Sequence, residues 1–322
     1  MLRKTATIAL LALQLTPAAC ERVGEAGDRR FMSIGTGGTG GLYYPLGGAL
    51  ASRLSARDTL RQYTAEVTGG SVENIVRIAS GEMDLGFAIG TSVYEAYHGG
   101  GDFAQPVTGL RVVAPLYPNL THVLVPTGPA VQTIGALRGR RVSVGAAGSG
   151  TEQVAQHVLQ AYGLTYDDID ERYLSFTESA AALADGSIDA AILSVGLPAS
   201  AVLEVTTTGR ARLLPIDSTV IARLTDAYSY YSPATIPAGA YPGVTAPLPT
   251  VSVLNWIVAR EDLPDDVAVM LLDILRDDAA ALRRVADSAG QINLSNMHAS
   301  PVPLHEAAAR WLEATTTGGG NE

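Results

Sequence analysis

Cysteine and lysine each occur once in the 322 residues, at Cys20 and Lys4. A lone cysteine near the N-terminus excludes a disulfide framework, a cysteine-based zinc site and a cysteine nucleophile from the body of the chain. The scarcity of lysine removes the side chain on which P-loop nucleotide binding depends. Charged residues make up only 17% of the chain and aromatic residues 6%, against 47% hydrophobic, a balance that suits a packed core and argues against disorder over most of the length. With 22 basic residues against 32 acidic ones the net charge is −10, which disfavours nucleic acid and acidic membrane surfaces as partners. No apolar run reaches the roughly 18–20 residues that a membrane-spanning helix needs.

The chain opens with a positive start, Met1-Leu-Arg3-Lys4, followed by an apolar run from Thr5 to Leu15 and then Pro17-Ala18-Ala19-Cys20. This pattern predicts an export signal over residues 1–19 and a polar tether over 20–30, with an extracytoplasmic address for the rest. Cys20 sits where a bacterial lipobox places its lipidated residue, with Pro17 where leucine is usual, so a lipid anchor at Cys20 and plain cleavage near Ala19 both stay open. Loss of the signal removes Arg3 and Lys4, leaving 20 arginines against 32 acidic residues and a net charge of −12.

Two glycine-rich loops lie 110 positions apart: Ser33-Ile-Gly35-Thr-Gly-Gly-Thr39-Gly40-Gly41 and Ser143-Val-Gly145-Ala-Ala-Gly-Ser149-Gly150-Thr151. Each follows a short apolar segment and leads into a helical pattern. A second echo closes each block, since Ala79-Ser-Gly81-Glu-Met-Asp84 returns as Ala184-Asp-Gly186-Ser-Ile-Asp189. One kind of α/β lobe is therefore built twice. The periodicity predicts strands at 31–35, 63–67 and 85–89 alternating with helices at 42–55, 71–80 and 92–98, then a second alternation between residues 141 and 216. Such alternation implies parallel sheets covered by helices. Segments 110–116 and 122–125 are β-like and serve as a first crossing, and 251–258 as a return crossing. Residues 228–243 carry too many breakers for a regular element, and helices are expected over 264–286 and 303–314. The architecture predicted is α/β with two lobes: lobe 1 from 31–124 plus 251–322, lobe 2 from 125–250, and two hinge crossings that allow closure on a ligand.

Gly35 to Gly40 formally fits a dinucleotide fingerprint, but the export signal and the bulky Tyr43-Tyr44-Pro45 at the helix start argue against NAD. Gly145 to Gly150 has P-loop spacing with Thr151 in place of the required lysine, which argues against ATP hydrolysis. Either loop alone is compatible with nothing more than a tight turn. Two loops at matching places favour contact with a small anion through amides and the hydroxyls of Thr39, Ser149 and Thr151. Ser71 and Asn74 open a helix with capping-box character, and Thr91 and Ser92 follow the carboxyl end of a strand, where α/β clefts bind ligands. Tyr43 and Tyr44 cannot both face the cleft, being neighbours on a helix. The five histidines lack metal-ligand spacing, and no nucleophile elbow or zinc-protease motif is present, so neither an enzyme nor a metal or cofactor site is expected.

Taken in order, Ile34-Gly-Thr-Gly-Gly-Thr-Gly-Gly-Leu-Tyr-Tyr-Pro-Leu-Gly47, Gly70-Ser-Val-Glu-Asn74, Gly81-Glu-Met-Asp-Leu85, Gly145-Ala-Ala-Gly-Ser-Gly-Thr151 and Asp185-Gly-Ser-Ile-Asp-Ala190 resemble the TAXI family of solute-binding subunits of TRAP transporters. The resemblance implies an α/β, type II periplasmic binding protein fold and capture of a small organic anion or amino acid, of the glutamate or 2-oxoglutarate type, for delivery to ion-gradient-driven TRAP permease subunits. It implies ligand contacts from Gly37, Thr39, Tyr44, Ser71, Asn74, Thr91, Ser92, Ser149, Gly150 and Thr151. A periplasmic sensor that reports ligand occupancy to a signalling partner is the alternative.

Overall fold

A computed structural model of the protein describes residues 31–318. The expected export signal, the tether and Cys20 lie outside the described residues.

The first lobe begins with β1 (Phe31–Gly35), α1 (Tyr43–Arg57), β2 (Gln62–Glu66), α2 (Ser71–Ser80), β3 (Leu85–Ile89) and α3 (Gly90–His98). Strand β4 (Leu110–Pro126) leads into the second lobe, built from β5 (Arg141–Ser143), α4 (Gly150–Ala161), β6 (Asp170–Arg172), α5 (Phe176–Asp185), β7 (Ala190–Val195), α6 (Ser200–Thr207), β8 (Ala211–Leu214), α7 (Ser218–Ala227) and β9 (Tyr231–Ile236). Strand β10 (Leu248–Arg260) returns to the first lobe, which ends with α8 (Asp265–Asp277), α9 (Ala279–Arg283) and α10 (Glu306–Gly318).

The sheet order is β2-β1-β3-β10-β4-β7-β5-β6, with β8 added to β4 and β9 to β10. Strands β1, β2 and β3 run parallel, as do β5, β6 and β7. The two long strands are antiparallel to each other and pass through both lobes. Thus β10 pairs with β9 over Leu248–Val253 and with β3 over Asn255–Ala259, while β4 pairs with β7 over Leu120–Leu124. The ladder between them shifts register between Leu254 and Trp256 and again between Ile257 and Val258. These are the two crossings that the fold class requires.

The repeated Gly-x-x-Asp segments have a local physical role. Gly81 and Gly186 end α2 and α5 with φ of 79° and 80°, a left-handed conformation that glycine adopts without a Cβ penalty. Three residues later, Asp84 accepts the Ser33 amide of β1 at 2.8 Å, and Asp189 accepts the Arg141 amide of β5 at 3.0 Å. Each carboxylate ties a helix exit to the start of the neighbouring strand.

Three elements depart from expectation. The two segments of the first crossing form one continuous strand, with Pro118 in register with Leu254. Strand β9 forms inside the breaker-rich stretch; among the described strands it pairs only with β10, and Pro233 is tolerated on such an edge. The predicted helix 264–286 is divided at Asp278, whose carboxylate takes Arg53 at 2.8 Å and Arg57 at 3.0 Å from α1. Separate apolar cores fill the lobes: Ile34, Leu50, Phe87 and Leu271 belong to one, and Val142, Val158 and Ile192 to another.

Candidate functional site

Between the lobes lies a cavity of about 120 Å³. Its first-lobe wall comprises Gly37, Gly38, Gly40, Gly41, Leu42 and Tyr43, then Thr68 to Ser71, and Ile89. Tyr117 and Asn119 of β4 contribute from the crossing, and Ala146, Ser149 to Thr151, Ser175, Phe176, Ser194 and Val195 from the second lobe. Four helices place their first residue in this wall: Tyr43 of α1, Ser71 of α2, Gly150 of α4 and Phe176 of α5. Helix N-termini carry partial positive charge and amides without an intrahelical acceptor. Here the amides of Ser71, Gly150, Thr151 and Phe176 have no protein acceptor among the described residues. Ser194, 2% exposed, has a hydroxyl with no hydrogen-bond partner. Among the described residues no charged side chain lines the cavity. The wall therefore offers uncommitted donors from both lobes.

A buried polar chain runs beneath the cavity. Tyr43 donates its hydroxyl to Asn255 Oδ1, and Asn255 Nδ2 donates to the Tyr117 carbonyl at 2.7 Å and to Asn119 Oδ1 at 2.8 Å. Asn119 Nδ2 donates in turn to the Ser194 carbonyl at 2.9 Å, which also accepts the Thr151 hydroxyl at 3.4 Å. The chain links α1, both crossing strands, β7 and α4. Burial drives the Tyr43 phenol far above its ordinary value, against a smaller downward pull from the Ser71 hydroxyl; burial and then the neighbouring Tyr43 raise Tyr117 likewise. Both phenols stay neutral donors.

The lobes are shut against each other. Amides of Val72 and Glu73 in α2 donate to the Gly148 carbonyl of the second lobe at 3.2 and 3.3 Å. Gln153 of α4 accepts the Ser92 hydroxyl, and its Nε2 donates to Glu95 at 2.8 Å and Asp102 at 3.1 Å. Glycines permit this approach: a Cβ on Gly150 would lie 2.2 Å from Ile89 Cγ2, one on Gly40 2.3 Å from Thr177 Oγ1, and one on Gly196 2.6 Å from Leu42 Cδ1.

Of the residues predicted to hold ligand, Gly37, Ser71, Ser149, Gly150 and Thr151 line the cavity. Ser149 caps α4, accepting the Glu152 amide at 3.3 Å. The other five do not line it. Thr39 is exposed at the turn before α1, and Tyr44 is 39% exposed while Tyr43 takes the cavity position. Asn74 is fully buried, donating to the Thr36 carbonyl at 2.7 Å and the Phe87 carbonyl at 2.8 Å, so it clamps the ends of β1 and β3. Thr91 and Ser92 are buried against Gln153 in the seam between lobes.

Several lining residues escaped the sequence reading. Ser175 opens α5 with a full capping box to Glu178, a serine-x-x-glutamate signal that was present in the chain. Asn119 and Asn255 stand out as amides inside apolar strands, a pattern that marks a buried polar network. Phe176 and Ser194 carried no local signal. Among the described residues no group of three or more His, Cys, Asp or Glu is placed to hold a metal ion, and no helix is long and apolar enough to cross a membrane.

A family model described as the NMT1-like family matches residues 34–314. The chain belongs to the NMT1-like family. This NMT1-like protein is also similar in fold to the alkanesulfonate-binding protein SsuA from Xanthomonas axonopodis pv. citri bound to MOPS, at 19% identity and a TM-score of 0.50, covering 89% of this chain and 85% of that one. It is similar to the periplasmic sulfonate-binding protein SsuA of a sulfonate ABC transporter from Methylobacillus flagellatus KT (14%, 0.51, 90% and 96%). A third similar structure is PhnD1 from Prochlorococcus marinus in complex with methylphosphonate (12%, 0.53, 90% and 98%). At these identities the likeness establishes the fold alone, the two-lobed α/β fold of periplasmic binding proteins.

The family match corrects the resemblance drawn from the glycine loops. The chain is an NMT1-like protein, with structural neighbours that are an alkanesulfonate-binding protein, a sulfonate-binding protein of an ABC transporter and a protein in complex with methylphosphonate, and not a TAXI subunit of a TRAP transporter. The TRAP permease falls with it as a partner. Glycine-rich strand-to-helix turns arise wherever two lobes must approach backbone to backbone, which is why that motif set misled.

Proposed function

We propose that this protein is an extracytoplasmic solute-binding protein that captures a small organic oxyanion between its lobes and presents it to a membrane permease. The carrying observation is the set of uncommitted amides on α2, α4 and α5, drawn from both lobes into one cavity without a charged side chain. An anion bound there satisfies donors that closure has removed from water, and it meets the positive ends of the helices. Closure about β4 and β10 follows because only the shut form brings donors of both lobes to one solute, so ligand selects that form. The moving bodies are residues 31–124 with 251–318, and 125–250. The sulfonate and methylphosphonate ligands named for the structural neighbours support an oxyanion head, and the ABC transporter named for one of them supports an ATP-driven permease.

Calorimetric titration of ligand-stripped protein with methanesulfonate, ethanesulfonate, methylphosphonate, acetate and propionate, followed by small-angle scattering of any complex, tests the reading. Binding with a decrease in radius of gyration is expected. The absence of both for every compound would overturn it.

A further inference from the structure

We infer that the ligand carries one anionic head on an uncharged body, with neither an ammonium group nor a second acid; this rests on the oxyanion-binding reading above. The argument is an account of what the cavity wall still has to offer. An ammonium group taken out of water needs acceptors, above all a carboxylate. The side-chain and main-chain oxygens at the crossing are already engaged: Asn119 Oδ1 by Asn255, and the Ser194 carbonyl by Asn119 and Thr151. Thr68 Oγ1 accepts the Gly70 amide at 3.2 Å and donates to Asn74 Oδ1 at 2.7 Å. The Ser149 and Ser175 hydroxyls accept the amides of Glu152 and Glu178. Neighbouring acids are turned to structural duty outside the wall, Glu73 on the Gly69 amide at 2.7 Å and Glu152 on the Gly148 amide at 3.3 Å.

A second acid group meets the complementary problem. No arginine or histidine lines the cavity, so one cluster of donors has to serve all the negative charge. The unpartnered Ser194 hydroxyl adds a donor that belongs to no helix terminus. The remaining wall is apolar, formed by Leu42, Ile89, Tyr117, Phe176 and Val195. It suits a short hydrocarbon or ether body. The volume of about 120 Å³ is well below the roughly 300–1,000 Å³ of sites for drug-sized molecules.

Matched probes test this directly. Affinities are measured by calorimetry for ethanesulfonate against taurine, and for propionate against β-alanine and succinate, each pair differing by one charged group. The unsubstituted acid is expected to bind at least ~100-fold more tightly than its charged counterpart, because an unpaired buried charge has no compensation in the cavity. Equal or tighter binding of taurine, β-alanine or succinate overturns the inference and leaves the solute-binding reading standing. No binding by any probe overturns both.

Discussion

Replacing Gly150 with alanine adds one methyl group at the tightest point between the lobes. Its Cβ would stand 2.2 Å from Ile89 Cγ2, 2.9 Å from Ser71 Oγ and 3.0 Å from Ser92 Oγ, all in the first lobe, whereas Gly150 belongs to the second. Gly150 has no positive φ, and it opens α4, so alanine is unstrained within its own lobe. Carbon atoms make ordinary contact at about 3.5–4.0 Å, so the seam has to part by more than ~1 Å at this point. That gap weakens the bonds from the Val72 and Glu73 amides to the Gly148 carbonyl. Overpacking of this kind costs about 1–3 kcal/mol, which converts to a roughly 5- to 150-fold loss of affinity. Calorimetry with ethanesulfonate should show that loss, while the melting temperature of ligand-free protein stays level or rises. An unchanged affinity together with a lowered melting temperature would refute the argument, because the methyl would then be disturbing a lobe and not its closure.

Three further outcomes follow from the same geometry. Ser194→Ala should weaken ethanesulfonate binding about 10- to 150-fold, the worth of a hydrogen bond to a charged group, without lowering the ligand-free melting temperature; equal affinity would remove Ser194 from the site. Asp58→Asn should cost about 1.5–3 kcal/mol in urea unfolding, because it removes the charged acceptor at 3.0 Å from the buried Arg61 guanidinium, which keeps Asp266 at 2.9 Å as its remaining partner. Burial alone would raise the Asp58 carboxyl, but hydrogen bonds from Tyr63, the Leu60 and Arg61 amides and the Arg61 side chain hold it at about 2, below the ordinary 3.8. Its stabilising contribution is therefore complete above pH 3.8 and lost as pH falls toward 2, and acid titration of the variant should lack that component. Across the seam, burial and then Asp102 raise Glu95 from 4.5 to about 7, while burial lowers His157, 3.4 Å away, from 6.5 to about 4. Folding takes up a proton on Glu95 between about pH 4.5 and 7 and expels one from His157 between about pH 4 and 6.5, so the two effects offset one another from about pH 4.5 to 6.5. The contribution of this pair to stability should be nearly flat over that range, and Glu95→Gln should expose a fall in unfolding free energy with acidification below pH 6.5, measured by urea unfolding at several pH values.

The fold was readable because its signals are local and repeated. Gly81 and Gly186 stop helices, Asp84 and Asp189 pin the next strands, and strand-helix alternation fixes a parallel sheet in each lobe. The long crossing strand was obscured by Pro118, which reads as a breaker until a partner strand accepts it in register. At the site, the helix start at Gly150 was visible from its glycine pattern, whereas the capping box expected of Ser71 does not form: Gly70 holds the cap position and the Ser71 hydroxyl accepts the Ile89 amide at 3.0 Å. The choice between Tyr43 and Tyr44 was not, because adjacent residues at a helix start differ only in rotation, and that phase is set by distant partners. Tyr43 packs at 5.0 Å from Phe87 and bonds to Asn255, 212 positions along the chain. Asn74 read as a ligand contact for a similar reason: an amide behind a helix cap has one look in sequence whether it faces solute or backbone. Here Gly35 and Gly86 leave room for it against the sheet, since a Cβ on Gly35 would come 2.5 Å from Asn74 Oδ1.

A recognition surface made of peptide groups, hydroxyls and two phenols kept neutral by burial holds no side chain that changes protonation in ordinary water. Discrimination by acidity then passes from the receptor to the cargo. Weak acids drop out of competition as the surroundings sour and they become uncharged, whereas strong acids remain eligible throughout. Under the solute-binding role proposed above, that favours steady capture of permanently ionised solutes.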